Sequence, residues 1–226
     1  MREKYSLFLL IVIPVLCSIY FHSEVLSTMG SGTSPSQVVI DVGHGGSDSG
    51  KVGINNALEK NINLSIANYL NEYLTTAGYS VTMTRQTDTS LASADAANQK
   101  LSDLKNRVEL ISSCAPMAVI SIHQNSYPNE TVNGAQVFHS ALPESKLLAS
   151  CIQQQCVRLL DPENHRQIKE NQDYYLFTHT SCPIVIVECG FLSNHKEANL
   201  LITEEYQKKT AWAIYMGTVQ YLKTLE

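Results

Sequence analysis

Three apolar runs in this chain of 226 residues each lead to a side chain that can bind a metal or move a proton. V-V-I-D-V (38–42) leads to His44 in D-V-G-H-G-G, M-A-V-I-S-I (117–122) to His123 in S-I-H-Q-N-S, and P-I-V-I-V (183–187) to Glu188 in V-E-C-G-F. A fourth candidate, Glu59, opens a helical pattern soon after the first run. Two neutral imidazoles and a carboxylate are the donors of a hydrolytic zinc site, which keeps a fourth position for water. The metal lowers the pKa of that water to about 7, so hydroxide is available at neutral pH. A second carboxylate beside the water can take its proton and pass it on. Glu188 fits that role, because a charge at the end of a wholly apolar run costs several kcal/mol to bury without a function. Taken singly, each residue has an ordinary explanation. A histidine after a strand is commonly a hydrogen-bonded loop residue, Glu59 a favourable charge at a helix start, and Glu188 a paired structural carboxylate. Convergence of the four on one site carries the argument. Gly43, Gly45 and Gly46 point only weakly to phosphate binding, since no helix begins right after them and no Lys-Ser/Thr follows.

The elements that position these residues are legible from periodicity. Strands are expected at 38–42, 79–84, 117–122, 134–140 and 183–187, where apolar and β-branched residues run without a break. A helix is expected over 58–74, with Leu58, Ile62, Ile66, Leu70 and Leu74 at four-residue spacing and Gly78 beyond its end. Further helices are expected over 90–113 (Leu101, Leu104, Val108 and Ile111 on one face), 145–160 and 204–225. Alternating helices and continuously apolar strands predict a single α/β domain, a mostly parallel twisted sheet with helices on both faces. Ligands of such sheets bind at the carboxyl ends of the strands. The three apolar runs would deliver His44, His123 and Glu188 to that edge.

The rest of the chain bounds the setting. Arg2 and Lys4 precede an uncharged stretch over 5–21, and no A-x-A-like cleavage site follows. This is either a long signal-peptide core or a short membrane span. Residues 1–24 are therefore read as a signal-anchor or signal peptide. The missing cleavage site favours an anchor, with the positive end cytoplasmic and the domain outside the membrane; cleavage would give a secreted protein. The Ser-, Gly-, Thr- and Pro-rich segment ending at residue 37 predicts a flexible tether over 25–37, and 38–226 is the catalytic domain. That leaves roughly 190 residues, enough for one domain with a sizeable core. A net charge of −5 argues against a nucleic-acid partner. Cys114, Cys151, Cys156, Cys182 and Cys189 match no zinc-knuckle spacing. Cys151 and Cys156 sit five apart on one predicted helix and would face different ways, so the cysteines read as small buried hydrophobes.

Four ordered segments, V-V-I-D-V-G-H-G-G-S-D-S-G, L-E-K-N-I-N-L, V-I-S-I-H-Q-N-S and P-I-V-I-V-E-C-G-F-L-S-N, resemble the motifs of the zinc-dependent N-acetylmuramoyl-L-alanine amidases. The resemblance spans 38 to the C-terminus. It implies Zn2+ held by His44, Glu59 and His123, with Glu188 as catalytic glutamate. Arg107, in L-K-N-R-V-E-L, resembles the family's arginine in the helix before the His123 strand and implies substrate contact or helix packing. Asn125, beside a ligand, would bind substrate or its own loop. The implied reaction is hydrolysis of the amide between the lactyl group of N-acetylmuramic acid and L-alanine of the peptidoglycan stem peptide. A catalytically silent wall-binding module and a zinc peptidase cutting within the stem peptide are the alternatives. Between His123 and Glu188 there is no room for the long inhibitory helix of some members. No wall-binding repeats are visible either. A small single domain with an apolar leader is similar to the spore-cortex branch, which prepares muramic lactam for germination and implies a place in the forespore envelope. Such a domain fits a protein partner that activates it or stabilises its zinc. His139, His165, His179 and His195 match no family position; His179 alone precedes the Glu188 strand closely enough to border the cleft.

Overall fold

The computed structural model describes residues 37–226. The leader over 1–24 lies outside them, as does the tether except for Gln37, which begins the first strand. Among the described residues no helix is long and apolar enough to cross a membrane.

Six strands form one sheet in the order β2-β1-β3-β6-β4-β5. β1 (Gln37–Val42), β2 (Ser80–Met83), β3 (Ala118–Asn125) and β6 (Ile184–Phe191) are mutually parallel. β4 (Gln136–His139) runs antiparallel to β6, and the two-residue β5 (Lys169–Glu170) follows β4 in parallel. The α/β class and the mostly parallel sheet are as the sequence predicts.

Strand periodicity divides the core. Val38, Ile40 and Val42 of β1, Ala118, Ile120 and Ile122 of β3, and Val185, Val187 and Cys189 of β6 share one cluster. That cluster also holds α1 (Glu59–Thr76), α3 (Pro143–Leu159) and α6 (Glu204–Leu222). The alternate residues Val39, Val119, Ile184 and Ile186 pack with Ile111 of α2 (Gln99–Cys114) and Leu176 and Phe177 of α4 (Tyr175–His179) on the opposite face. Continuing the two-residue alternation, Asp41, Ser121, His123 and Glu188 fall on the α2/α4 face as well. This face is apolar toward the strands' amino ends and polar toward their carboxyl ends.

Several element boundaries differ from the sequence expectation. α2 starts at Gln99 rather than at 90, because the Asn98 side chain caps it by accepting from the Leu101 amide. The residues before it form a loop tied to Asp103 through Ser90 and Leu91. β3 and β6 extend through His123 and Glu188, so both side chains sit within strands rather than after them. α5 (His195–Leu201) is an additional short helix. All five cysteines of the described domain are free thiols, with Cys151, Cys156 and Cys189 buried.

Candidate metal and catalytic site

The loop after β1 carries His44 in a left-handed conformation at φ 62°. A non-glycine residue there costs about a kcal/mol or more and needs support from its surroundings. Two buried guanidinium groups supply it by taking the loop's carbonyls. Arg107 donates to the oxygens of Val42 (2.7 Å) and His44 (2.8 Å), and Arg85 to those of Val42 (3.2 Å) and Gly43 (3.1 Å). Arg107 is neutralised by Asp41 at 2.7 Å and Asp103 at 2.6 Å. Burial opposes ionisation of Asp41, but the Arg107 charge together with hydrogen bonds from Ser121 and Arg107 outweighs it and holds the carboxyl below its usual range. Gly43 lies against the face of His123, where a Cβ would collide with the imidazole ring. The loop and the β3 histidine can therefore approach only through a glycine.

His44, Glu59 and His123 converge, with one donor atom from each lying within 4.8 Å of the others, a group that could hold a metal ion. Glu59 Oε1 lies 3.2 Å from His44 Nε2 and 3.0 Å from His123 Nδ1. The Glu59 carboxylate is buried and held by the amides of Gln124 (3.0 Å) and Lys51 (2.8 Å). Burial works against its charge, but hydrogen bonds from both histidines win and keep its pKa far below the ordinary value. His44 Nδ1 sits 2.9 Å from Asp48 Oδ2. With Nδ1 donating to Asp48, a neutral His44 would offer its Nε2 lone pair to a metal ion, the orientation metal-binding histidines take when a carboxylate fixes their tautomer. Burial lowers the basicity of His44, yet Glu59 and Asp48 more than offset it, so its pKa lies above the usual value.

Glu188 pairs with His123 across β3 and β6. Its Oε2 is buried and has no hydrogen-bond partner. Burial pushes its pKa up to about 7, against the pull of His123 and with a further push from Glu59. A buried carboxylate oxygen left unpaired is costly, and a carboxyl poised near neutrality in a cleft is suited to proton transfer.

Two connected cavities meet at this point, both lined by His44, Asp48, Lys100, His123 and Glu188. One, about 210 Å³, is walled by Leu104, Tyr174, Tyr175, Leu176 and Ile186; the other, about 280 Å³, by Lys51, Gln124, Asn125 and Ser126. Asn125 thus borders the second cavity, and its Oδ1 accepts from the Ser126 amide at 2.8 Å. Arg107 reaches the wall of the first, but its guanidinium is committed to Asp41, Asp103, Thr84 and loop carbonyls, so it holds the loop. His179 stacks on Tyr175 at the surface, His139 is buried in β4, and His165 and His195 are exposed. Sequence reasoning did not single out Asp41, Asp48, Arg85 or Ser121. Asp41 had a visible signal as a lone charge inside an apolar run, and Asp48 as a carboxylate four residues after His44.

This parallel sheet, with three convergent donors and an unpaired carboxylate at its carboxyl edge, has the make-up of a hydrolase site. The chain belongs to the N-acetylmuramoyl-L-alanine amidase family, whose sequence profile matches residues 38–220. It is 38% identical over 188 residues to the germination-specific N-acetylmuramoyl-L-alanine amidase of Bacillus subtilis, covering 81% of this chain and 78% of that one. Its structure resembles the CwlD amidase of Clostridioides difficile, solved in complex with the GerS lipoprotein, at TM-score 0.81 and 39% identity, covering 84% and 99% of the two chains. The catalytic domain of CwlV, an N-acetylmuramoyl-L-alanine amidase of Bacillus (Paenibacillus) polymyxa, matches at TM-score 0.71 and 30% identity, covering 83% and 98%.

Proposed function

We propose that the chain is a zinc-dependent amidase acting outside the cytoplasmic membrane, on cortex peptidoglycan of the forming spore. The observation that carries the chemistry is the unpaired, buried Glu188 Oε2 beside the His44–Glu59–His123 cluster. The donor set suits zinc, with two imidazoles and one carboxylate. His44 Nε2, Glu59 and His123 Nδ1 would hold the ion. Bound there, zinc would acidify a water and polarise the lactyl carbonyl.

The remaining work falls to the chain's own residues. Glu188 accepts the proton of the attacking water and delivers it to the alanine nitrogen as the amide bond breaks. A carboxyl with its pKa near 7 can both take and release that proton at neutral pH. Asp48 keeps His44 in the tautomer whose Nε2 faces the cluster. Arg85 and Arg107 keep the loop rigid, so the donors do not reorganise during the reaction. Asn125 borders the second cavity and is placed to contact substrate there.

The germination-specific relative supports the spore-cortex role. The apolar leader at 5–21 supports export and anchoring. The lipoprotein bound to the Clostridioides difficile relative supports a protein partner that steadies zinc or substrate.

The test is release of stem peptides from purified cortex peptidoglycan by the full chain with zinc, beside its Glu188→Ala variant. Intact peptides beginning with L-alanine, released by the parent alone, are the expected result. Shortened peptides would indicate a peptidase, and equal release by both proteins would remove Glu188 from the chemistry.

A further inference from the structure

The charges lining the cleft are unevenly committed. Asp41 is held by Arg107 and Ser121, and Asp103 by Arg107, Ser90 and the Leu91 amide. Asp48 is held by His44 and the Gly50 amide, and Glu59 by the two histidines. Among the cations, Arg107 is bound to carboxylates and carbonyls, and nearby Lys60 pairs with Asp88 at 2.7 Å. Lys51 and Lys100 differ: both are exposed, both line the second cavity, and neither joins an ion pair among the described residues, although the Lys100 charge helps to lower the pKa of nearby Asp48. Lys51 borders that cavity and not the apolar one, while Lys100 stands where the two meet.

The two sides of the scissile amide differ in charge in a matching way. On the acyl side the lactyl carboxyl is consumed in the amide, and the N-acetylated sugar is neutral. The leaving side is a peptide that carries at least its terminal carboxylate. We infer that Lys51 and Lys100 form a carboxylate-binding subsite for the leaving peptide, so that the peptide lies along the lysine-lined cavity and the muramoyl group along the apolar one. This assignment rests on the amidase reading above and adds to it a direction of binding and the residues that set it. The lysines act as charges at the cleft mouth, so their attraction is partly screened and falls with salt.

The experiment compares a synthetic N-acetylmuramoyl-peptide as the free acid with the same compound carrying every peptide carboxylate as its amide. Both are offered to the zinc-supplied full chain, its Lys51→Gln/Lys100→Gln variant and its Lys51→Arg/Lys100→Arg variant. The parent is expected to favour the acid in kcat/KM by about tenfold at low salt, mainly through KM. The glutamine pair should lose most of that preference, and the arginine pair should keep it. No preference in the parent, or an equal fall for both compounds in the glutamine pair, overturns the assignment. Should the parent cleave neither compound, the amidase reading fails separately. Calorimetric binding of the free and amidated stem peptides then decides the subsite: tighter binding of the acid, lost in the glutamine pair, supports it, and equal binding overturns it.

Discussion

Glu188 shows how strand alternation raises a pKa. Two residues earlier on the same face, Ile186 packs in the apolar α2/α4 cluster, and the alternation carries Glu188 to where that cluster gives way to the cleft. Burial therefore raises its pKa from the ordinary carboxylate value to about 7. A carboxyl that binds its proton more tightly when folded loses stability as pH rises from about 4.5 toward about 7. In zinc-stripped protein, Glu188→Gln should thus be more stable than the parent at pH 8, by on the order of 2 kcal/mol. The difference should fade below pH 4.5, where the parent carboxyl is protonated in both states. Urea melts across pH check this, and a gap that does not change with pH would contradict it. Asp48 is a different case, since its role passes through His44 Nδ1. Asp48→Asn should weaken zinc affinity about 10–100-fold in chelator competition, with little change in the melting of zinc-free protein. Unchanged affinity would mean that the tautomer is fixed by something else.

At the scale of elements, α3 and α6 meet backbone to backbone. A Cβ on Gly217 would lie 2.5 Å from Ile152 Cα and 2.7 Å from its nitrogen. Gly217→Ala gains up to about 1 kcal/mol of helix propensity, but it must push the two helices apart, and overpacking costs about 1–3 kcal/mol. A net loss of stability by chemical denaturation is expected, and a more stabilised variant would show that the helices yield freely. The same contrast between local and long-range causes decides what the sequence discloses. The sequence reveals five of the six strands, most plainly β1, β3 and β6, whose residues face packed helices on both sides. Near the site the pattern breaks: His123 and Glu188 look like strand ends only because they face a polar cleft. β5 is Lys-Glu at a sheet edge and α4 is five residues long, too short for either period to register. His44, Glu59, His123 and Glu188 are legible because apolar runs and a helix start deliver all four to one sheet edge, although each singly has an ordinary explanation. Arg85 is not, since its part consists of bonds to carbonyls of Val42 and Gly43, more than forty positions away.

For the whole domain, the candidate metal site is a cross-link between otherwise separate parts. His44 comes from the loop after β1, Glu59 from the first turn of α1, and His123 from β3 at the centre of the sheet. A ligand that binds the folded chain and not the unfolded one stabilises it by mass action. Zinc at a hundred times its dissociation constant should contribute about 2.7 kcal/mol, a rise of about 5–10 °C in melting temperature for a domain of this size. Glu59→Gln should abolish most of that rise, because the donor linking α1 to the two histidines is gone. Glu188→Gln should retain it, since Glu188 stands beside the cluster and is not one of its three donors. Calorimetric melts with zinc and with chelator separate these roles. A zinc-dependent rise that survives in Glu59→Gln and disappears in Glu188→Gln would exchange the parts assigned to the two carboxylates, and with them the reading of which one moves the proton.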